Sequence, residues 1–348
     1  MEISHLEPVS GLAWSVFRGG REEVLRALGR EHADAIRAFR GLPGGTWEAQ
    51  VRRADGIAER LDAVIASTRR LLPVESQELA WIAEGAGISE RDMWARNLRG
   101  DLGRDGTGCS DLALTTDAGV LMGHNEDGDG ELHEEIRLVT LDIEGDPAVT
   151  AVWYPGMLPS NAFVTTTAGL AFGMDHVPVV TANTDGAGRH FVARHAQRRH
   201  SGDAARVVLS KVPCAGGFAF DVADAGGRAD LIENAGGRVA RASGAYRHTN
   251  HLRLIDGSAD GLAVPDDDEW LQESRNRLGV LNGCGTPATA DEVFAALRTP
   301  GVLGRSDDIW TFVTAVVDTA ADEVLLAGSG EPWRGRWSAF ARGERVPL

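Results

Sequence analysis

Gly106-Thr107-Gly108-Cys109-Ser110-Asp111-Leu112-Ala113-Leu114-Thr115, then Thr116-Asp117-Ala118-Gly119, then Val120-Leu121-Met122-Gly123-His124-Asn125-Glu126-Asp127: within this stretch the chain changes texture. Short apolar runs separated by Gly, Asp and Asn replace a longer periodicity, which predicts strands over 110–115 and 120–124 joined by a hairpin at Asp117-Ala118-Gly119. The stretch divides a helical segment from a β-rich one.

Upstream, apolar residues recur at helical spacing. Trp47, Val51, Ala54, Ala58, Leu61, Ile65, Thr68 and Leu72 step by three and four after Thr46, a suitable cap. Residues 22–39 predict a second helix, and Ser89-Glu90-Arg91-Asp92 starts a short third with a capping serine and acids in its first turn. The opening third is therefore expected to be mostly α. Downstream, strands are expected over 136–143, 151–154, 169–175, 217–224, 229–234, 311–318 and 323–327. Helices are expected over 189–209, with a break at Ser201-Gly202-Asp203, and over 269–281 and 290–297. Hairpins with helices inserted between them predict an α/β fold of antiparallel sheets covered by helices.

The 348 residues are 43% hydrophobic and 25% charged, enough apolar side chain for a sizeable core. The net charge of −16 opposes binding to a phosphate backbone, so nucleic acid is set aside as a partner. The acidity lies beyond Gly108: residues 1–108 carry 15 basic and 17 acidic side chains, the rest 20 and 34. Three cysteines, Cys109, Cys214 and Cys284, fit a reducing compartment. The opening Met1-Glu2-Ile3-Ser4-His5 is not that of a secretory leader, and no run is apolar enough for a membrane span, so a cytoplasmic protein with no membrane partner is expected.

Several motifs fail on inspection. A calcium loop from Asp127 would need Gly and Glu where Leu132 and Leu138 stand. His133-Glu134-Glu135 is followed by Arg137 where a zinc-protease helix needs its second His. His190, His195 and His200 do not share a helix face. Gly328-Ser329-Gly330 lacks the spacers of a nucleophile elbow, and no phosphate-binding glycine loop is present. Neither a metal nor another cofactor is expected.

Cys109 admits two readings. It is a packed small hydrophobe in a scaffold without chemistry, or it is a nucleophile released by cleavage of the Gly108–Cys109 bond. In the second case one residue carries a thiol and a free α-amine of pKa about 7.7–8.0, matched to take a proton from a thiol of about 8.5. Gly108, with no Cβ, leaves its carbonyl open to the neighbouring thiol during an N-to-S acyl shift.

Gly108-Cys109-Ser110, the hairpin and Gly123-His124-Asn125-Glu126-Asp127 resemble the processing site and second strand of the isopenicillin N acyltransferase (acyl-coenzyme A:6-aminopenicillanic acid acyltransferase) family of N-terminal nucleophile hydrolases. Asn97-Leu98-Arg99-Gly100-Asp101, Tyr154-Pro155-Gly156-Met157-Leu158-Pro159, Gly217-Phe218-Ala219-Phe220 and His248-Thr249-Asn250-His251 extend the resemblance along most of the chain. It implies a four-layer α/β/β/α fold and self-cleavage before Cys109. The products would be a mostly helical small fragment, 1–108, and a catalytic fragment, 109–348, associated as one folded domain. It further implies Cys109 as nucleophile, Asp127 as the group orienting the new α-amine and Asn250 as the oxyanion donor.

Asn125 and Glu126 are then expected at the substrate, Glu126 standing where the family often has an aromatic residue. The family's arginine near the nucleophile is assigned to Arg275, with Arg305 second. The expected activity is hydrolysis of a small N-acyl or aminoacyl amide, because the His-Asn-Glu-Asp version resembles relatives that hydrolyse β-alanyl amines. Transfer from an acyl-coenzyme A donor is the alternative. The expected partners are the small-molecule amide or acyl donor and the chain's own two fragments, and a homo-oligomer is allowed.

Overall fold

Ser10 and Gly11, both at positive φ (51° and 82°), form the turn between β1 (Glu2–Val9) and β2 (Leu12–Gly19) in the computed structural model, which describes residues 1–41, 55–102, 108–160, 162–258, 261–306 and 309–348. Two residues at positive φ give the twist that tight hairpins need. This hairpin adds two strands ahead of an opening segment that is otherwise mostly helical, and the sequence reading passed over its Ser-Gly pair. The Gly328-Ser329-Gly330 loop packs on the turn, with Gly330 N donating to Ser10 O at 2.9 Å.

The helices α1 (Arg21–Glu31) and α2 (Ala33–Gly41) then break at His32, where one helix was expected. They are followed by α3 (Ala58–Leu71), α4 (Pro73–Ala86) and α5 (Glu90–Asn97). Thr46 and the expected helical residues 47–54 lie outside the described residues. Ser89 caps α5 by accepting from Asp92 N, as its sequence predicts.

Beyond Gly108 come β3 (Ser110–Thr115), β4 (Val120–Gly128), β5 (Arg137–Ile143), β6 (Val149–Trp153), β7 (Val164–Thr166) and β8 (Leu170–His176). The pair α6 (Arg189–Gln197) and α7 (Gly202–Lys211), recapped at Ser201, precedes β9 (Gly217–Asp224), β10 (Ala229–Ala235), β11 (Arg238–Ser243) and β12 (Tyr246–His248). Helices α8 (Glu269–Gly283) and α9 (Ala290–Leu297), strands β13 (Trp310–Asp318), β14 (Glu323–Ala327) and β15 (Trp333–Arg336), and α10 (Trp337–Ala341) complete the order.

The strands make two sheets, one of nine strands in the order β1-β2-β5-β6-β7-β8-β9-β10-β11 and one of six in the order β12-β3-β4-β13-β14-β15. Named pairings are antiparallel except β2 with β5, which is parallel because the first hairpin joins the sheet from outside the run of hairpins.

Period-two alternation sends each strand's apolar residues to two different cores. Ala113 and Met122 enter a core shared with Trp14, Val16, Leu138 and Ala219 of the nine-stranded sheet, so the two sheets stack face to face. Leu112, Leu114 and Leu121 point the other way, to Val293 and Leu297 of α9. On the far side, Phe17, Val139, Leu141 and Phe220 pack against Val24, Leu28, Leu79 and Ile82 of α1 and α4. The order of layers is helix, sheet, sheet, helix, the α/β/β/α arrangement expected from the sequence resemblance. Among the described residues no helix is long and apolar enough to cross a membrane.

Candidate active site

The β3–β4 hairpin pairs Ser110 with Asn125 and Asp111 with His124. Alternation then puts Asp111, His124 and Glu126 on the face turned toward the other sheet. A Cβ on Gly173 of β8 would stand 2.7 Å from Asp111 Oδ1 and 3.1 Å from His124 Nδ1, so a glycine is needed for the sheets to close over these groups. Cys109, immediately before β3, is 6% exposed, and its Sγ donates to Glu126 Oε2 at 3.4 Å.

Arg277 of α8 reaches the same point from the outer layer and is 3% exposed. Its Nη1 donates to the Cys109 carbonyl oxygen and, at 3.2 Å, to Ser110 Oγ. Nη1 also lies 3.9 Å from Asp127 Oδ2. Its Nη2 donates to Asn250 Oδ1 at 2.9 Å and to Glu273 Oε2 at 2.7 Å. Glycine at 108 leaves this cluster undisturbed, because a Cβ there would meet Arg277 Nη2 at 2.0 Å and Asn250 Oδ1 at 2.5 Å and displace these side-chain ends. Asn250 Nδ2 donates to His176 O at 2.9 Å, and the amide has a second N–H.

Burial pushes the Asp127 carboxyl up to about 7 against the opposing charge of Arg277 and the hydrogen bond from Thr311. The Cys109 thiol lies well above its ordinary value because it is buried and because Glu126, Asp175 and Asp127 surround it with negative charge.

A buried polar chain extends from Cys109 between the sheets. Glu126 Oε2 accepts from His124 Nε2 at 3.1 Å, and His124 Nδ1 is 2.7 Å from Asp111 Oδ1. Glu126 Oε1 accepts from the Tyr154 hydroxyl. Tyr154 is held because Asn97 clamps its loop, donating to Gly156 O at 3.0 Å and accepting from Leu158 N at 2.8 Å, which joins two of the segments carrying the family resemblance. Cys109, His124 and Glu126 lie close enough together to be weighed as metal ligands, as do Asp111, His124 and Asp175. A metal would have to displace the direct bonds at both His124 nitrogens.

His248, at the start of the segment that carries Asn250, bridges Asp175 Oδ2 (2.6 Å) and Glu233 Oε1 (3.2 Å). Burial alone would lower its pKa, but the hydrogen bonds to these two carboxylates raise it to about 9. Because the folded value lies above the ordinary 6.5, this contribution to stability is complete below pH 6.5 and disappears as the pH rises through about 9. Urea unfolding between pH 6.5 and 10 should show a loss of about 3 kcal/mol that His248→Gln lacks.

Two expectations need correction. Arg275 is not at Cys109: its side chain is 44% exposed and paired with Asp266 at 2.8 Å. Arg277 lies on the buried stripe of α8 with Leu271, Ser274, Leu278 and Leu281, and Arg275 does not. The helical spacing of that stripe was the signal that could have found it. Arg305, the second candidate, is exposed and stacks over Trp310, 4.8 Å from guanidinium carbon to ring centre.

Asn125 does not reach Cys109 either. The same alternation that brings in Glu126 turns Asn125 outward, where Nδ2 donates to Leu297 O at 2.7 Å and ties β4 to α9. Glu126 does reach the site, but its oxygens are engaged by Cys109, His124 and Tyr154. Cys109, Asp127 and Asn250 are brought together. His124, Asp111 and Tyr154 were not among the site residues read from the sequence, because their partners come from separate strands and loops.

Residues 114–280 match the family described as acyl-coenzyme A:6-aminopenicillanic acid acyl-transferase, the family whose resemblance was read from the motifs. The match spans just under half of the chain, takes in Asp127, Asn250 and Arg277, and begins five residues after Cys109. No curated protein matches significantly. Solved structures similar to this chain include penicillin V acylase from Agrobacterium tumefaciens, at 12% identity and a TM-score of 0.40 over 66% of this chain and 86% of that one. They also include a mutant form of conjugated bile acid hydrolase from Clostridium perfringens, at 12% identity and a TM-score of 0.42 over 68% and 95%.

Proposed function

We propose that this protein is made as an inactive precursor, cleaves itself between Gly108 and Cys109, and then hydrolyses a small N-acyl or aminoacyl amide through a thioester on Cys109. The observation that carries this reading is the meeting of Cys109, Asp127 and Asn250, far apart in sequence, around one buried arginine that a side chain at position 108 would displace.

In the cleaved form the Cys109 α-amine is the base for the thiol. Asp127, beside the Cys109 backbone, orients that amine as a carboxylate. The thiolate attacks the substrate carbonyl, Asn250 donates to the developing oxyanion, and the departing amine takes the proton from the α-ammonium. Water then releases the acyl group. The substrate class follows the His-Asn-Glu-Asp motif. Recognition of a cationic acyl group through Glu126 is not part of the reading, since Glu126 is engaged within the site. The description of the matching family supports a second reading, in which an amine rather than water receives the acyl group from a coenzyme A thioester. Three unbridged thiols suit a reducing compartment, and we assign the protein to the cytoplasm.

Denatured mass spectrometry of the purified protein should give fragments of 108 and 240 residues, the second beginning at Cys109. An intact chain, unchanged after a day at neutral pH, would leave the scaffold reading in its place. Acyl-coenzyme A consumption measured with and without an added amine separates transfer from hydrolysis.

A further inference from the structure

Self-cleavage begins before the α-amine exists. While Gly108 and Cys109 are joined, the Cys109 nitrogen is an amide and cannot accept a proton, so the base that serves the mature enzyme is absent from its precursor. The thiol is buried among acids and does not ionise readily unaided.

Glu126 Oε2 stands 3.4 Å from Sγ. This oxygen also accepts from His124 Nε2 at 3.1 Å, His124 Nδ1 meets Asp111 Oδ1 at 2.7 Å, and the Tyr154 hydroxyl holds the other Glu126 oxygen. Glu126 is 7% exposed, and His124 and Asp111 are no more than 1% exposed. The line from Asp111 to His124 to Glu126 to Cys109 thus ends on the reacting sulfur. It has the logic of a base oriented by further groups behind it, with a carboxylate as the base.

We propose that Glu126 is the general base of self-cleavage, with His124 and Asp111 as positioning residues, and that the α-amine takes over this role once the bond is cut. This rests on the self-cleavage reading and adds to it. In the step itself, the Sγ proton moves to Glu126 Oε2 and the thiolate attacks the Gly108 carbonyl carbon. The Gly108 C to Cys109 N bond breaks, and the departing nitrogen takes the proton held by Glu126, leaving a Gly108 thioester on Sγ and a free amine. Water hydrolyses the thioester to the Gly108 carboxylate and the Cys109 thiol. No oxidant, reductant or metal is consumed, and Glu126 returns to its starting form. The engagement of Glu126 with the nucleophile also explains why an acid rather than an aromatic residue stands between Asn125 and Asp127.

The test follows full-length chains made by cell-free translation, quenched in denaturant at intervals and scored for cleavage, with near-ultraviolet circular dichroism to compare folds. Glu126→Gln keeps the shape and removes the base, so cleavage should slow by roughly 10²–10³-fold. Glu126→Asp, which retains a carboxylate, should fall between Gln and wild type. His124→Gln, which leaves the base but loosens its aim, should slow cleavage about tenfold. If Glu126→Gln does not fold, the proposal is read from the other two variants, both of which must be slower than wild type.

Glu126→Gln cleaving within threefold of wild type would overturn the assignment, as would a folded Glu126→Asp no faster than the Gln variant. Wild type that never cleaves would instead sink the self-cleavage reading beneath it.

Discussion

Cys109→Ala should remain a single chain of 348 residues and show no measurable amide hydrolysis, while wild type yields two fragments. Both losses come from one atom. The sulfur attacks the Gly108 carbonyl in processing and the substrate carbonyl in turnover, so its removal eliminates each covalent intermediate rather than weakening a contact. Loss of a nucleophile typically lowers the rate by roughly 10⁴-fold or more. The fold should survive, because the change removes one small buried atom whose neighbours are the carboxyls of Glu126, Asp127 and Asp175, and the cost should be about 1 kcal/mol. Cys109→Ser separates the two functions of the atom. A hydroxyl fits the space but is a far weaker acid than a thiol, so cleavage should persist at a rate several orders of magnitude lower. An Ala variant that still divides at residue 108 would show that another agent makes the cut.

The residues that make this prediction possible differed in how plainly the sequence displayed them. Cys109 and the hairpin after it were legible because a change from period 3.6 to period 2 is local, and β3 runs over the six residues predicted for it. Ser201 and Ser89 were legible as caps for the same reason. Sheets covered by helices were also within reach once helices and hairpins had been placed, while the four-layer order came from the family resemblance.

What stayed hidden was pairing at a distance. The hairpin itself sets Asp111 opposite His124, but nothing in it announces that Gly173, on another strand, must lack a side chain to leave room for both. Asn125 was assigned to the substrate because its neighbours in the motif are functional, yet adjacent strand residues point to opposite faces. Arg277 was passed over for Arg275 and Arg305 because its helical stripe is broken by polar Ser274 and by the arginine itself, so the position that enters the site resembled a solvated one.

That pair of arginines supplies the second large effect. Arg277→Met should abolish self-cleavage and lower stability by roughly 3 kcal/mol, whereas Arg275→Met should change stability by less than about 0.5 kcal/mol and leave cleavage intact. Arg275 makes an exposed pair that water replaces readily. Arg277 provides the positive charge against which Asp127 is buried, and its guanidinium hydrogen-bonds both Asn250 and the Cys109 carbonyl.

Its removal leaves three consequences that reinforce one another. Asp127, already held up near 7, loses the largest influence that lowers its pKa and becomes neutral at the pH where, in the cleaved enzyme, it must orient an amine. Asn250 loses the partner that fixes its carbonyl oxygen, so its N–H is no longer aimed. The Gly108–Cys109 link loses the donor that holds its carbonyl neighbour. The stability cost stays at the low end of the range for breaking a buried pair, because Asp127 can take up a proton and the 40% exposed Glu273 can turn to water. Neither rate has such an escape: amide hydrolysis loses the carboxylate that orients the amine, and self-cleavage, which precedes the amine, loses the aimed Asn250 and the donor on the Cys109 carbonyl. Arg277→Lys should therefore restore most of the stability but little of the cleavage, because a single ammonium supplies the charge without the planar fork that reaches Asn250 and Cys109 together. Thermal unfolding and cleavage kinetics of the three variants, read side by side, separate the charge from the geometry.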